Sequence, residues 1–194
     1  MRYKAIMTII ATVAMTTVLS CFYQSGQTSA NAAVPANGVP AETPAAKKTL
    51  ETAGPVLTDG EYDGNEIVKT DAEWQKELPA DAFYVLRKEG TERAYTGKLT
   101  ENHKHGTYYC AACGMAIFSS EAKFESGTGW PSFFQPIFKK NVVEKVDKSL
   151  GEERTEVECA RCHSHLGHVF DDGPQPTGLR YCMNSVAMKF KETK

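Results

Sequence analysis

Three textures follow one another along the chain. Ala5 to Leu19 is mostly apolar, broken by Thr8, Thr12, Thr16 and Thr17. From Phe22 to about Asn65 the sequence is rich in Ala, Pro, Thr, Gly and Ser and shows no apolar period. Such a stretch cannot bury enough apolar surface to offset the entropy of ordering, so it predicts a flexible tether. A folded pattern begins near Ile67. Thr70-Asp71-Ala72-Glu73 has the form of a capping box, with Thr70 as N-cap and Glu73 reaching back. Trp74 and Leu78 fall on one helical face, and Pro79 ends that helix. Ala80 to Lys88 predicts a second short helix, with Phe83 and Leu86 apolar and Gly90 as its stop. Beyond Gly106 the period shortens. Thr107–Cys110, Val142–Val146, Arg154–Cys159, His168–Phe170, Leu179–Cys182 and Val186–Phe190 predict strands between Gly- and Pro-rich turns. In Arg154–Cys159, Thr155 and Val157 alternate with Glu156 and Glu158. The pattern predicts a mainly β, antiparallel domain with short helices on its N-terminal side.

The 194 residues have room for one ordinary domain plus extra segments. A net charge of -2 without a basic stripe argues against a nucleic-acid binder. The apolar N-terminal run follows Arg2 and Lys4 and is too short for a membrane span, which needs about 20 residues. It fits a secretory signal peptide. Val18-Leu19-Ser20-Cys21 resembles the end of a bacterial lipoprotein signal, although Leu19 is an unusual choice at its position. The alternative is an ordinary signal peptide cut nearby. The division expected is a lipoprotein signal over 1–20, a linker over 21–65 and a folded domain over 66–194. Cys21 would then be lipidated and the protein exported, anchored to a membrane on its periplasmic or cell-surface side.

Six cysteines add chemistry to this outline. Cys110-x-x-Cys113 and Cys159-x-x-Cys162 each follow a predicted strand, as in zinc knuckles. Four thiolates fill a tetrahedral zinc ion and leave no open position, so the expected site is structural and holds one ion. Two disulfides are the first alternative in an exported protein. A thioredoxin-like redox pair is the second, but no βαβ pattern surrounds either motif. Cys182 has no such partner. It follows a histidine-bearing stretch and is a nucleophile candidate; the competing reading is a buried structural cysteine. His165 and His168 stand three apart in that stretch and are acid–base candidates. His163 is expected at the surface, and His103 and His105 carry no assigned role. Gly127 and Gly129 flank a loop that could present Trp130 at a surface, against the commoner fate of a core tryptophan.

At this point the motifs resemble a family. From about Trp74 to Phe190 the chain is similar to the B-type methionine sulfoxide reductases. The resemblance rests on Gly90-Thr91-Glu92, Cys110-Ala111-Ala112-Cys113-Gly114, Phe124-Glu125-Ser126-Gly127 and Gly129-Trp130-Pro131-Ser132-Phe133. It continues through Thr155-Glu156-Val157, Cys159-Ala160-Arg161-Cys162, His165 to Pro174 and Arg180-Tyr181-Cys182-Met183-Asn184-Ser185. It implies two antiparallel sheets, with the zinc away from the active site. It also implies reduction of the R epimer of methionine sulfoxide, protein-bound or free. Cys182 matches the nucleophile, His165 and His168 the active-site histidines, Asn184 a polar group beside them, and Trp130 the aromatic that receives the substrate methyl. Thr128 departs from the pattern, because many members carry there the cysteine that resolves the oxidised nucleophile.

Arg180 is expected beside Trp130 at the substrate, and the implied chemistry requires a thiolate, which Arg180 and histidine charge are expected to favour. It leaves a sulfenic acid on Cys182, which an external thioredoxin-like dithiol would reduce. A monomer is expected. The competing functions are a zinc-stabilised protein-binding module and a C-x-x-C disulfide oxidoreductase.

Overall fold

The structure, a computed structural model, describes residues 54–194. The predicted export signal, Cys21 and the tether up to residue 53 lie outside the described residues. No helix among the described residues is long and apolar enough to cross a membrane.

Helix α1 (Asp71–Glu77) starts as its sequence predicts. The Thr70 hydroxyl accepts from Glu73 N, and the Glu73 carboxylate accepts from Thr70 N at 2.7 Å. Trp74 is buried on its inner face beneath Lys69 and Arg87. Helix α2 (Ala80–Lys88) buries Ala82, Val85 and Leu86. It ends at Lys88, two residues ahead of Gly90, because its C-cap Glu89 takes the left-handed conformation with φ 53°. Gly90 is needed for a different reason: the Tyr84 ring lies 2.2 Å from where a Cβ would stand.

Two antiparallel sheets follow. In the smaller, β1 (Gly106–Cys110) lies between β2 (Ala116–Ser119) and β9 (Met188–Glu192). The larger holds β3 (Lys123–Phe124), β4 (Ser132–Phe133), β8 (Arg180–Met183), β7 (His165–Phe170), β6 (Arg154–Cys159) and β5 (Val142–Asp147), in that order. Aromatic side chains from both sheets meet in the core. Phe118 of β2 stacks on Phe133 of β4 at 4.3 Å, and Tyr108 of β1 meets the same ring edge-on at 4.9 Å. Each such burial contributes roughly 1.5–3 kcal/mol. Strand β2 is invisible to a period-two reading, because Ala116, Ile117 and Phe118 are all fully buried. Strand β6 departs from the expected half-buried alternation, since Glu156 and Glu158 are buried as well as Val157.

Ordered contacts begin ahead of Ile67. Thr58 N donates to Gly114 O at 2.9 Å, and Ala116 N donates to Thr58 O at 3.0 Å. Arg161 donates to the Thr58 hydroxyl at 2.8 Å, while Ile67 N donates to Arg161 O at 2.7 Å. Fully buried Asn141 accepts from Tyr62 N and donates to Gly60 O and Ala116 O. Residues 58–67 thus form a strap across both C-x-x-C turns. This strap overlaps the end of the expected linker, 21–65, and is held mainly through its backbone.

Candidate active site

One row of side chains crosses the larger sheet. Cys182 on β8 lies opposite Ser132 on β4 and His168 on β7. His168 in turn lies opposite Glu156 on β6, and Glu156 opposite Lys145 on β5. Laterally paired residues share a sheet face, so all five stand on one side, with Cys182 and His168 as neighbours. The adjacent row, Phe133, Tyr181, Val169 and Thr155, faces the other way, and its first three members are core.

His165 reaches this face through an irregularity. Residues three apart in a regular strand point to opposite faces. The register shifts between β6 and β7 at Val157/Glu158, which inserts one extra residue on β7. The two histidine rings therefore come together on one face, edge to face, with centroids 5.3 Å apart.

A pocket of about 130 Å³ opens over Cys182. Trp130, Phe170 and Met183 form its apolar walls, and His168, Asn184, Thr91 and Arg154 its polar ones. Trp130 is neither core nor fully exposed: it is half-buried, with Nε1–H donating to Glu92 O at 3.1 Å. Glu92 ties the site together. Its N–H donates to Asn184 Oδ1 at 3.0 Å, and its carboxylate accepts from Ser185 N and Val186 N. Asn184 Nδ2 donates to Leu166 O at 3.1 Å. One N–H of that amide is thus left over for a ligand.

The remaining expected residues separate. His165 does not line the Cys182 pocket; its Nδ1 lies 2.6 Å from Glu156 Oε1. His168 does line it, with Nε2 2.8 Å from Asp147 Oδ2. Arg180 is absent from the lining. It binds Asp172 through two bonds, at 2.8 and 2.9 Å, and lies over the Phe170 ring at 4.4 Å. It therefore sets one wall of the pocket without reaching into it. Thr128 Oγ1 stands 3.8 Å from Cys182 Sγ. His163 is exposed, as expected.

Burial governs the protonation of these groups. It pushes the Cys182 thiol up, outweighing the opposite pull of Thr128, Arg180 and Ser132. The expected pull of Arg180 towards the ionised form is present but smaller than the effect of burial. Burial also lowers His165 and His168, so both rings are neutral at pH 7. Asp147 is held well below the usual carboxylate range by hydrogen bonds from Ser149, then from His168 and Arg154. An ionised Asp147 assigns the Nε2–H tautomer to His168 and leaves Nδ1 as its basic nitrogen.

The other four cysteines of the described chain converge elsewhere. Cys110, Cys113, Cys159 and Cys162 are buried, and their sulfurs lie within 4.8 Å of one another. Cys110 and Cys162 sulfurs are 3.7 Å apart, and those of Cys113 and Cys159 are 3.5 Å apart. A disulfide requires about 2.05 Å, so neither pair is bonded. Tetrahedral zinc with Zn–S near 2.3 Å would set its sulfurs about 3.8 Å apart, and the cluster fits that geometry. None of these cysteines lines the Cys182 pocket.

Glu92, Arg154, Asp147 and Glu156 were not singled out as functional from sequence. The signal for Glu156 lay in its place opposite the histidines, which only the bulged register discloses.

A half-buried, non-ligand thiol beneath an aromatic-walled pocket, in a chain that also carries a cysteine cluster of metal-site form, defines a thiol-based redox class of protein. Residues 78–192 match the SelR domain model. The chain is 56% identical over 128 residues to a peptide methionine sulfoxide reductase MsrB of Leptospira interrogans, covering 66% of this chain and 97% of that relative. It is 56% identical over 122 residues to one of Thiobacillus denitrificans, covering 63% and 92%. A third, from Acinetobacter baumannii, is 51% identical over 126 residues, covering 65% and 91%. The chain belongs to the SelR-domain family of B-type methionine sulfoxide reductases.

Proposed function

We propose that this protein reduces the R epimer of methionine sulfoxide in polypeptides, using Cys182 as nucleophile. The observation that carries this reading is the lateral pairing of Cys182 with His168 under the Trp130-lined pocket. Trp130, Phe170 and Met183 would hold the methyl-bearing end of the substrate. Neutral His168, oriented by Asp147, would take the Cys182 proton and return it to the sulfoxide oxygen. The thiolate then attacks sulfur, oxygen passes to Cys182, and methionine leaves a sulfenic acid behind. An external dithiol attacks that sulfenic acid, releasing water and forming a mixed disulfide. Its second thiol resolves the mixed disulfide, which restores Cys182 and oxidises the partner. Asn184 and Glu92 act by position, fixing Trp130 and the Cys182 strand end.

Zinc is the proposed occupant of the four-cysteine cluster, where it would supply folding energy and no reaction step. The proposed setting is an exported monomer held to a membrane through lipidated Cys21. A Cys21→Ala precursor that is processed and membrane-bound as usual would contradict that anchor. The activity itself is tested with blocked R and S methionine sulfoxides and a dithiol reductant. Turnover of R alone supports the reading, and turnover of S or of neither contradicts it.

A further inference from the structure

Next to the Cys182 pocket lies a second, larger one of about 260 Å³. The two are contiguous, since Thr91, Arg154 and His168 line both. Tyr84 and Leu150 stand on the second pocket and are 56% and 71% exposed, two of the large apolar side chains left outside the core. Tyr84 is fixed there by its contact with Gly90, described above. The floor is polar but already engaged: Asp147 is held by Arg154 at 2.6 Å and by His168, and Glu156 by His165. Glu89 is different. It is exposed, lines the same pocket, and has no ion-pair partner among the described residues. Its φ of 53° at the end of α2 sets it just ahead of Gly90 and Thr91, the latter at the junction of the two pockets.

A methionine sulfoxide within a polypeptide continues into neighbouring residues. The first pocket accommodates little beyond the sulfoxide end, so the adjoining residue must lie over a neighbouring surface. We propose that the second pocket seats the side chain next to the methionine sulfoxide in a polypeptide substrate and favours lysine or arginine there. This rests on the activity proposed above. Lysine and arginine carry an apolar stem ending in a cation. The stem covers Tyr84 and Leu150, and the cation meets the unspent Glu89 carboxylate. A glutamate at the same place would meet Glu89 with like charge.

The test uses blocked peptides in which methionine sulfoxide is flanked on either side by Lys, Glu or Ala, together with blocked methionine sulfoxide alone. Binding is read from tryptophan fluorescence, independently of turnover, and kcat/KM is read alongside. In at least one of the two orders, the Lys peptide is expected to bind roughly two- to fivefold better than the Glu peptide at low salt, the size of an exposed charge pair. The preference should shrink at high salt. Glu89→Gln should abolish it, and Leu150→Ala should weaken all the peptides while leaving the blocked amino acid unchanged. Equal binding of Lys and Glu peptides in both orders, or a preference that survives Glu89→Gln, would overturn the subsite. Lack of turnover of the blocked amino acid would instead refute the activity, and the binding comparison would still decide the subsite.

Discussion

Thr128 Oγ1 lies 3.8 Å from Cys182 Sγ, in the loop that carries Trp130. A hydroxyl cannot resolve a sulfenic acid as a thiol does. The other described cysteines lie in the metal-site cluster. No internal disulfide is expected when the reduced domain meets sulfoxide without reductant, and intact mass should show no loss of two hydrogens. Thr128→Cys should then produce that loss, with a peptide linking positions 128 and 182. A Cys182 cross-link to any cluster cysteine in the parent protein would undo both the recycling scheme and the metal assignment.

The half-buried Cys182 thiol has a consequence for pH. Its pKa is raised, so the thiolate fraction is small at neutrality and grows as pH climbs. Alkylation of Cys182 by iodoacetamide in the absence of substrate should keep accelerating through the ordinary thiol range of about 8.5. A plateau near pH 7 would mean that Arg180 and the histidines outweigh burial.

His168 and His165 should separate on mutation. His168→Ala removes the ring that lines the pocket and should cost about 10²–10⁴ in rate. His165→Ala should cost less, since its ring is set back against Glu156. Steady-state kcat for both variants, with circular dichroism as the folding control, decides the order. An equal or reversed order would move the proton chemistry to His165.

Much of the fold could be read ahead of the structure, and the gaps have physical causes. The Thr70–Glu73 cap, the two C-x-x-C turns and the strands from Arg154 onward depend on local chemistry and are visible locally. His165 and His168 could be named as a pair, but their shared face comes from a bulge in the register with β6, a nonlocal property. Arg180 was expected at the substrate, and its pairing with Asp172, exposed and eight residues earlier, has no local pattern to announce it. Glu92 acts largely through its backbone and a carboxylate on two main-chain N–H groups, which leaves no pattern in composition.

The strap over the C-x-x-C turns gives a stability prediction. Asn141→Ala leaves Tyr62 N, Gly60 O and Ala116 O without their partner. Ala116 O is the buried one of the three, and an unpaired buried group costs about 1–3 kcal/mol before relaxation. Denaturant titration should show a loss in that range, and deletion through Asn65 should speed metal release to a chelator. Unchanged stability and release would mean that the strap is incidental. Cys110→Ser should go further and lose the metal, whose binding is worth about 10–16 kcal/mol in small zinc modules.

The most direct measurement is a single turnover. Reduced protein is mixed with excess blocked R sulfoxide and no reductant, and methionine is counted. The account predicts one methionine per protein, a Cys182 that a sulfenic-acid reagent labels, and no methionine from a folded, metal-loaded Cys182→Ser variant. Methionine formed by that variant, or label on any cysteine other than Cys182, would contradict it.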